Sequence, residues 1–293
     1  MAHRISWLDV FARGPLTGNA LAVVDAAERV RDETMLAFAK ETGLSETTFV
    51  QSTATEGADY RNRIFTVESE IPFAGHPSLG TAVAVARWRE EKRANFVQET
   101  GAGLQPIEVS SDGSGWHAEM IQNQAEFGTE VDPAAAMAAV GLDPADAHPE
   151  LPPQVVSTGL PTAIVPVAEV DSLVRAAPSI EAIDALLQDA RPRAGETPTF
   201  YLVWLEPDLQ RANARMFSSV VPGGEDPATG SAAGPLGAYL TEQAGVERVT
   251  IRQGEEMGRP SLLEVKMLDG RPRVGGRVNP VMDGEVSLPS PSG

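Results

Sequence analysis

The sequence predicts an α+β fold built from two lobes of one plan, each of which wraps its strands around a central helix. Two observations predict it: a short motif that occurs twice, and the same order of strands and helices around each copy. A chain of 293 residues is long enough for two such lobes. Folding at this size buries roughly 75% of the unfolded chain's surface, so a substantial hydrophobic core is expected.

The repeated motif lies near the start of each predicted central helix. Residues 76–82 read His-Pro-Ser-Leu-Gly-Thr-Ala and residues 226–232 read Asp-Pro-Ala-Thr-Gly-Ser-Ala. A short β-prone run with a matching phenylalanine precedes each copy, at 64–66 and at 216–218. A chance match of common helix-start residues is the alternative, but the shared preceding strand favours duplication.

The same elements come before each copy, namely a Thr-Gly pair, an apolar strand, a helix and a second strand. In the first half we predict the strand 20–24, the helix 32–42 and the strand 47–51, and in the second half 162–167, 180–190 and 199–205. The polar stretch after Gln122 marks the boundary between the lobes, and the Pro/Ser tail at 288–293 is expected to be frayed.

Proline residues suggest where the two central helices begin. Pro77 and Pro227 suit the first position of a helix, where the missing N–H costs nothing, so His76 and Asp226 are the predicted N-caps. The helices that follow, predicted at 78–86 and 228–240, are apolar or small on every side, which indicates burial.

Two buried helix starts are expected to face one cleft and to bind a small anion there. Their first N–H groups have no partner within the helix, and the peptide dipoles favour negative charge at this end. Gly75 lets the backbone approach a ligand in the first lobe, while Gly230 and the hydroxyl of Ser231 serve in the second. A capping role alone remains the alternative for His76 and Asp226.

Composition excludes several classes of function. A formal charge of −18 disfavours binding to nucleic acid or to anionic lipid, so a small molecule is the expected partner. The absence of cysteine removes thiol nucleophiles, disulfides and thiolate metal sites. Apolar runs are too short to span a membrane and no signal-like segment is apparent, so we expect a cytoplasmic protein.

The sequence also predicts that no cofactor and no metal is bound. Neither a dinucleotide-binding glycine motif nor a Walker loop occurs. Lys92 lies in a charged helix end rather than in a motif that would hold pyridoxal phosphate. The four histidines are dispersed without the spacing of metal ligands.

Glu46 is the candidate base, because it lies where the first helix gives way to a strand. A carboxylate there can face a cleft, and partial burial would raise its pKa towards the working range of a general base. As one of 41 acidic residues, it is nominated only weakly by these arguments.

Five segments strengthen the case, because together they resemble the PhzF family, the phenazine-biosynthesis isomerase and its relatives. They are Pro-Leu-Thr-Gly-Asn-Ala at 15–20, Gly-Leu-Ser-Glu-Thr-Thr-Phe-Val at 43–50, Pro-Phe-Ala-Gly-His-Pro at 72–77, Gly-Glu-Asp-Pro-Ala-Thr-Gly-Ser-Ala-Ala-Gly-Pro-Leu at 224–236 and Gln-Gly-Glu-Glu-Met-Gly-Arg-Pro-Ser at 253–261. The resemblance covers nearly the whole chain.

The resemblance implies a diaminopimelate-epimerase-like fold, in which each lobe is a curled, mostly antiparallel sheet around a central helix. It also implies a homodimer, an active site between the lobes, and a final strand near 284–288 that returns to the first lobe. The predicted domains are therefore 1–120 plus 281–293 for the N-terminal lobe and 121–280 for the C-terminal lobe.

The resemblance also assigns roles to individual residues. In the phenazine enzyme the glutamate that matches Glu46 takes a proton from one ring carbon of trans-2,3-dihydro-3-hydroxyanthranilate and returns it to another. The residues that match His76 and Asp226 hold and polarise that substrate, and the resemblance implies the same roles here on a substrate that it leaves open. The predicted substrate-binding residues, which include the helix-start backbone and members of the matching segments, are Asn19, Ser45, Gly75, Gly230 and Ser231. The expected substrate is a small cyclic or amino carboxylate.

Three alternatives remain open. The first is an amino-acid racemase or epimerase that pairs Glu46 with His76 or Asp226. The second is a binding protein that has lost turnover. The third, a hydrolase with Ser231, His76 and Asp226, is disfavoured because no Gly-x-Ser-x-Gly elbow encloses the serine.

Overall fold

The computed structural model describes residues 2–25, 27–113, 115–188, 190 and 198–289. Backbone contacts divide the chain into two compact units, residues 1–120 with 275–293 and residues 121–274. The predicted lobes differ from these units in residues 275–280, which we expected in the second lobe. The last strand pairs with the first strand from Val278 onwards, so this stretch belongs to the first unit.

The first unit is rich in strands, and its longest helix lies in the middle of the unit's sequence. Its strands and helices are β1 (Ala2–Val10), β2 (Asn19–Val24), α1 (Asp32–Thr42), β3 (Thr47–Gln51), β4 (Tyr60–Phe65), β5 (Glu70–Ile71), α2 (Gly75–Trp88), β6 (Arg93–Thr100), β7 (Gly103–Ser111) and β8 (Trp116–Ile121).

The second unit has the same character, and its last strand continues into the first unit. Its elements are β9 (Glu126–Glu130), α3 (Pro133–Ala139), β10 (Gln154–Ser157), β11 (Pro161–Val167), α4 (Val170–Arg175), α5 (Ile180–Leu187), β12 (Thr199–Leu205), β13 (Arg211–Phe217), β14 (Glu225–Asp226), α6 (Gly230–Ala244), β15 (Arg248–Gln253), β16 (Ser261–Leu268) and β17 (Arg271–Ser287).

The strands of the first unit form a closed ring of pairings. β1 lies antiparallel to β2, β2 parallel to β3, and β3 antiparallel to β4. The ring continues from β4 to β6 as a parallel pair, then to β7 and β8 as antiparallel pairs. Because β8 pairs with β17 and β17 returns to β1, the eight strands close a barrel.

The central helix α2 lies inside this barrel. It contacts strands β1, β2, β3, β4, β6 and β7, and its residues 75–86 are buried. A helix that is small or apolar on every side can be buried on every side. Gly80 permits the close approach, since a Cβ there would lie 2.5 Å from the side chain of Leu21 and 2.9 Å from that of Val10.

The second unit repeats the order of parallel and antiparallel pairings. β10 lies antiparallel to β11, β11 parallel to β12, and β12 antiparallel to β13. β13 then runs parallel to β15, and β15 antiparallel to β16. The helix α6 contacts β10, β11, β15 and β16 and is buried over most of its length. The prediction of two lobes of one plan is therefore confirmed.

The predicted helix starts are wrong by a few residues. α2 begins at Gly75 after the N-cap Ala74, and α6 begins at Gly230 after the N-cap Thr229, so neither His76 nor Asp226 is a cap. Pro77 is the third helical residue, which is acceptable because no N–H of the first turn has a helical partner.

The alignment of the two repeats also needs correction. Pro-x-x-Gly occurs at 72–75 as well as at 77–80, and it is the copy at 72–75 that leads into α2 as 227–230 leads into α6. Counted from the helix starts, the counterpart of His76 is therefore Ser231. Asp226 lies on β14 and pairs with Met216, as Ile71 pairs with Ile64 on the corresponding strands.

Two smaller points concern the predicted end of the helix 180–190 and the predicted C-terminal tail. The helix expected at 180–190 is α5, which ends at Leu187, and residue 189 lies outside the described residues. Of the tail predicted at 288–293, residues 290–293 lie outside them as well. Among the helices of the described segments, none has the length and apolar character needed to cross a membrane.

Candidate active site

Glu46 occupies a fixed turn between α1 and β3. Gly43 ends α1 in the left-handed conformation, with φ of 64°, and its N–H bonds to the carbonyl of Ala39. The hydroxyl of Thr42, the last residue of α1, lies 2.8 Å from the hydroxyl of Thr47, the first residue of β3. Glu46 directly precedes β3, and only 13% of its side chain is exposed. The backbone on both sides of this carboxylate is thus held in place.

His76 lies in the first turn of α2 and faces Glu46. Its Nε2 is 3.3 Å from Glu46 Oε2, and 6% of its side chain is exposed. Burial lowers the pKa of His76 to about 3, since a charged ring would be poorly solvated here. The imidazole is therefore neutral near pH 7.

Asn19 at the start of β2 determines which ring nitrogen of His76 carries the proton. The amide nitrogen Nδ2 of Asn19 lies 3.2 Å from His76 Nδ1. An amide NH₂ only donates, so Nδ1 must accept and the single proton of the neutral ring lies on Nε2. The Nε2–H is the group that approaches Glu46 Oε2.

A further buried contact joins the elements that carry Glu46 and His76. The hydroxyls of Thr48 on β3 and Thr81 on α2 lie 2.8 Å apart. Both residues are buried, and such a bond between neighbouring elements limits their relative movement. The predicted residues Asn19, Glu46 and His76 thus lie together in the first unit.

Two other predicted residues lie beside this cluster in the sequence. Gly75 is the first residue of α2, and the N-cap Ala74 has no side chain that accepts a bond from the helix start. Ser45 precedes Glu46 and is half-buried. The helix start therefore offers backbone N–H groups next to the carboxylate–imidazole pair.

In the second unit, Asp226 belongs to a cluster of buried polar side chains. Its Oδ2 accepts a hydrogen bond of 2.5 Å from the hydroxyl of Thr229. Gln253 Nε2 donates to the carbonyl of Asp226 at 2.7 Å and to Thr229 Oγ1 at 3.0 Å. Asp226 is only 5% exposed. Its carboxylate is therefore oriented by the Thr229 hydroxyl, which Gln253 holds in turn.

Gly230 and Ser231 are the first two residues of α6. Gln122 Nε2 donates to the carbonyl of Gly230 at 2.9 Å, and Gln122 Oε1 accepts from the hydroxyl of Thr158 at 2.6 Å. The N-cap Thr229 makes no side-chain bond to the helix, because its hydroxyl is used on Asp226. As in α2, the first N–H groups are left for another partner.

Sequence reasoning missed the roles of Thr229, Gln253 and Tyr201. Thr229 and Gln253 stand in the matching segments, yet no task was assigned to them, and Tyr201 lies outside those segments. A signal for Gln253 does exist, since it follows Val249 and Ile251 at strand spacing and so points inwards. A polar side chain that points into the core needs hydrogen-bond partners there. A polar residue at an inward strand position is therefore a sequence signal for a buried hydrogen-bond cluster.

Among the described residues, no group of three His, Asp or Glu side chains is placed to hold a metal ion.

The fold is that of diaminopimelate epimerase and proline racemase, and relatives that are named isomerases define the class of protein as an isomerase. The model of the PhzC-PhzF family, described as phenazine biosynthesis-like protein, matches residues 8–284. The chain belongs to that family.

Individual relatives agree with this assignment. The chain is 34% identical to the trans-2,3-dihydro-3-hydroxyanthranilate isomerase of Pseudomonas aeruginosa over 88% of each chain. It is similar to the solved structure of a predicted epimerase from the same organism, with 36% identity, a TM-score of 0.81 and coverage of 97% and 99%. A hydroxyproline epimerase from Agrobacterium vitis, at 13% identity, a TM-score of 0.64 and coverage of 97% and 91%, shares the fold.

Proposed function

We propose that this protein is a cofactor-independent isomerase in which Glu46 moves a proton on a small cyclic or amino carboxylate. The observation that carries the proposal is the buried pair of Glu46 and His76, with 3.3 Å between Oε2 and Nε2. A carboxylate accepts protons, and a neutral imidazole N–H donates a hydrogen bond without adding charge.

In this mechanism one carboxylate carries the proton throughout. Glu46 removes a proton from a carbon of the substrate, and the electron pair moves into the neighbouring unsaturated system. The proton rests on the Glu46 carboxyl group, where it exchanges with solvent because 13% of this side chain is exposed, and the carboxyl hydrogen is then delivered to another carbon. His76 donates its Nε2–H to Glu46 or to a substrate oxygen, which orients the reacting groups.

The carboxylate of the substrate needs local donors, because a net charge of −18 repels anions at long range. We assign this task to the backbone N–H groups at the start of α2, at Gly75 and His76, with Asn19 and Ser45 beside them. The start of α6, at Gly230 and Ser231, supplies the same kind of donor. Buried helix starts without side-chain caps suit an anion.

Asp226 is proposed to serve the same reaction by holding a polar substituent of the substrate. Support comes from its burial, from its place four residues before the start of α6, and from its match to the family motif. Homodimer formation and a cytoplasmic location also stay predictions, and light scattering of the purified protein tests the first.

The test is hydrogen exchange in D₂O with candidate cyclic and amino carboxylates, followed by NMR. The wild type is expected to place deuterium on carbon, and Glu46→Gln is expected to lower the rate by about 10³-fold, since it removes the group that takes the carbon proton. Glu41→Gln, an exposed change on α1, is the matched control and should exchange at the wild-type rate. Full exchange by Glu46→Gln would remove Glu46 from this role.

The same experiment separates the alternatives. A racemase inverts the configuration at the carbon that exchanges, whereas the proposed isomerase transfers the proton to a different carbon. The binding-protein alternative predicts equal ligand affinity in the wild type and Glu46→Gln, with no exchange in either. A hydrolase is opposed by the geometry, because His76 Nδ1 accepts from Asn19 and has no proton to give to an aspartate.

A further inference from the structure

We propose that Thr229 and Gln253 are positioning residues that hold the Asp226 carboxylate as a hydrogen-bond acceptor of fixed orientation. The inference rests on the role proposed for Asp226 in the reaction. It adds a task for two side chains to which the motif itself assigns none.

Four residues of the second unit form one buried chain of hydrogen bonds. Tyr201 Oη donates to Gln253 Oε1 at 2.9 Å, and Gln253 Nε2 donates to Thr229 Oγ1 at 3.0 Å. Thr229 Oγ1 then donates to Asp226 Oδ2 at 2.5 Å. Each of the four residues is at most 6% exposed, so water competes little for these bonds.

The direction of each bond follows from the chemistry of the groups. A hydroxyl has one hydrogen, and Thr229 Oγ1 already accepts from Gln253 Nε2, which can only donate. The hydrogen of Thr229 is therefore directed at Asp226 Oδ2. A proton on Oδ2 would lie against the Thr229 hydroxyl hydrogen, which already points at this oxygen. This series of hydrogen bonds therefore favours the ionised form of the Asp226 carboxylate.

The amide of Gln253 is fixed by further contacts. Its Nε2 also donates to the carbonyl of Asp226 at 2.7 Å, and its Oε1 also accepts from the N–H of Thr229 at 3.3 Å. Burial, and secondarily the charge of Asp226, raise the pKa of Tyr201, which therefore remains a donor. If the amide oxygen and nitrogen of Gln253 were exchanged, the amide nitrogen would face the N–H of Thr229, so that two donors met. The amide oxygen would face the carbonyl of Asp226, so that two acceptors met.

Other charged groups near these four hydrogen-bonded residues do not change which group donates and which accepts in each bond. On β13 and β14, Arg215 and Glu225 form a two-bond ion pair with both distances at 2.8 Å, so their charges largely cancel locally. Glu256 acts on Arg215, whose pKa is raised mainly by its bond to Glu225. On β12 the titratable group is Tyr201 itself, which donates its hydroxyl hydrogen to Gln253 Oε1.

The test is a titration of the Asp226 carboxyl carbon by ¹³C NMR in the full chain. Thr229→Val keeps the shape of the side chain and removes the donor, and we expect the acid dissociation constant of Asp226 to fall by about 10- to 100-fold, as loss of a hydrogen bond to a charged group implies. Thr229→Ser keeps the hydroxyl and should titrate like the wild type. An unchanged Asp226 titration in Thr229→Val would overturn the proposal.

Two more variants keep the result specific. Thr158→Val removes another buried threonine–glutamine bond of the same unit and should leave the Asp226 titration unchanged; an equal shift there would overturn the proposal. If Thr229→Val does not fold, Gln253→Met decides. It frees the Thr229 hydroxyl to turn, so a fall in the dissociation constant of Asp226 supports the proposal and no change overturns it.

This titration needs no substrate, so its failure is distinct from failure of the proposed function. Where a substrate is found, Thr229→Val should lower kcat by about tenfold with KM nearly unchanged, and Thr229→Ser should restore kcat. Wild-type protein that exchanges no carbon-bound hydrogen would refute the isomerase mechanism and leave the Asp226 titration to be judged by itself.

Discussion

Burial fixes the protonation state of His76. A histidine in water takes up a proton near pH 6.5, whereas in the fold the pKa of His76 is lowered to about 3. Its neutral ring has a definite tautomer because Asn19 donates to Nδ1. The contact with Glu46 is therefore a 3.3 Å approach between a neutral imidazole and a carboxyl group, because the buried site would solvate a charged ring poorly.

This depressed pKa predicts a contribution of His76 to the pH dependence of stability. Between pH 6.5 and about 3 the unfolded chain binds a proton at His76 and the folded chain does not, so stability falls as the pH is lowered through this range. The slope attributable to His76 is at most about 1.4 kcal/mol per pH unit.

The measurement is urea unfolding at pH 7 and pH 5 for the wild type and His76→Gln. The variant should lose less stability than the wild type over this interval, because it lacks the titrating ring. His148→Gln, at a half-buried site, is the control and should change the slope less. Equal slopes in the wild type and His76→Gln would contradict the depressed pKa.

At the scale of elements, the same arginine clamp occurs in both units. Arg63 on β4 forms two bonds to Glu70 on β5, and Arg215 on β13 forms two bonds to Glu225 on β14. Each guanidinium also lies over a phenylalanine of its own strand, at 5.2 Å and 4.9 Å. Since each glutamate comes five residues before the start of its central helix, the clamp fixes how the chain enters that helix.

The two clamps differ in burial, which gives a prediction of unequal energies. Arg215 is 10% exposed and Glu225 18%, and Arg215 also donates to the carbonyls of Leu173 and Ala176. Arg215→Met should lower the free energy of unfolding by about 3 kcal/mol, because it leaves a buried carboxylate and two carbonyls unpaired.

Arg63→Met is the matched variant in the first unit. Its partners Glu70 and Asp32 are 39% and 72% exposed, so water can replace the guanidinium and the loss should be about 1 kcal/mol. Urea unfolding of both variants measures the difference. Equal losses would show that burial does not set the strength of these pairs.

Much of this element plan could be predicted from the sequence. The strands 47–51 and 199–205 and the helix 32–42 have the predicted bounds, because their apolar spacing and flanking turns are local signals. The start of α2 could not be predicted because two Pro-x-x-Gly copies compete in the first half, and the predicted start of α6 is too early because its helix begins at the glycine of 227–230 rather than after the proline.

The candidate site residues also divide into those that the sequence could predict and those whose contacts depend on tertiary packing. Glu46 was nominated mainly by a motif match, and its contact with His76 depends on β3 and α2 lying side by side. The bonds of Gln253 join β12, β14, β15 and the residue before α6, which are separate in the sequence. Contacts of this kind follow from tertiary packing and leave only an indirect trace, such as a polar residue at an inward strand position.

At the scale of the whole molecule, the two units share a scaffold but differ in their side chains. The residue before β3 is Glu46, whereas the residue before β12 is Pro198. His76 in α2 likewise corresponds to Ser231 in α6. The first unit thus carries the Glu46 carboxylate beside a neutral imidazole, whereas the second carries an aspartate that accepts from a threonine hydroxyl.

Closure of the first barrel depends on residues distant in sequence. β17 pairs with β1 from Ser287 with Ala2 to Val278 with Val10, so the barrel is incomplete until this late segment has folded against the start of the chain. Pairings of such long sequence separation form slowly, because their loop-closure entropy is lost before they are stabilised.

Deletion of residues 281–293 is therefore expected to abolish cooperative unfolding of the first unit, because it leaves residues 2–7 of β1 without their β17 partners. Amide hydrogen exchange measures this as loss of protection in β1 and β2, while α6 and β15 keep theirs. Asp283→Asn is the control: the pair of Arg87 and Asp283 is 22% and 51% exposed, so its loss should cost no more than about 1 kcal/mol. Protection of β1 that survives the deletion would mean that β2 alone holds this strand, and that closure by β17 is not required for the barrel around α2.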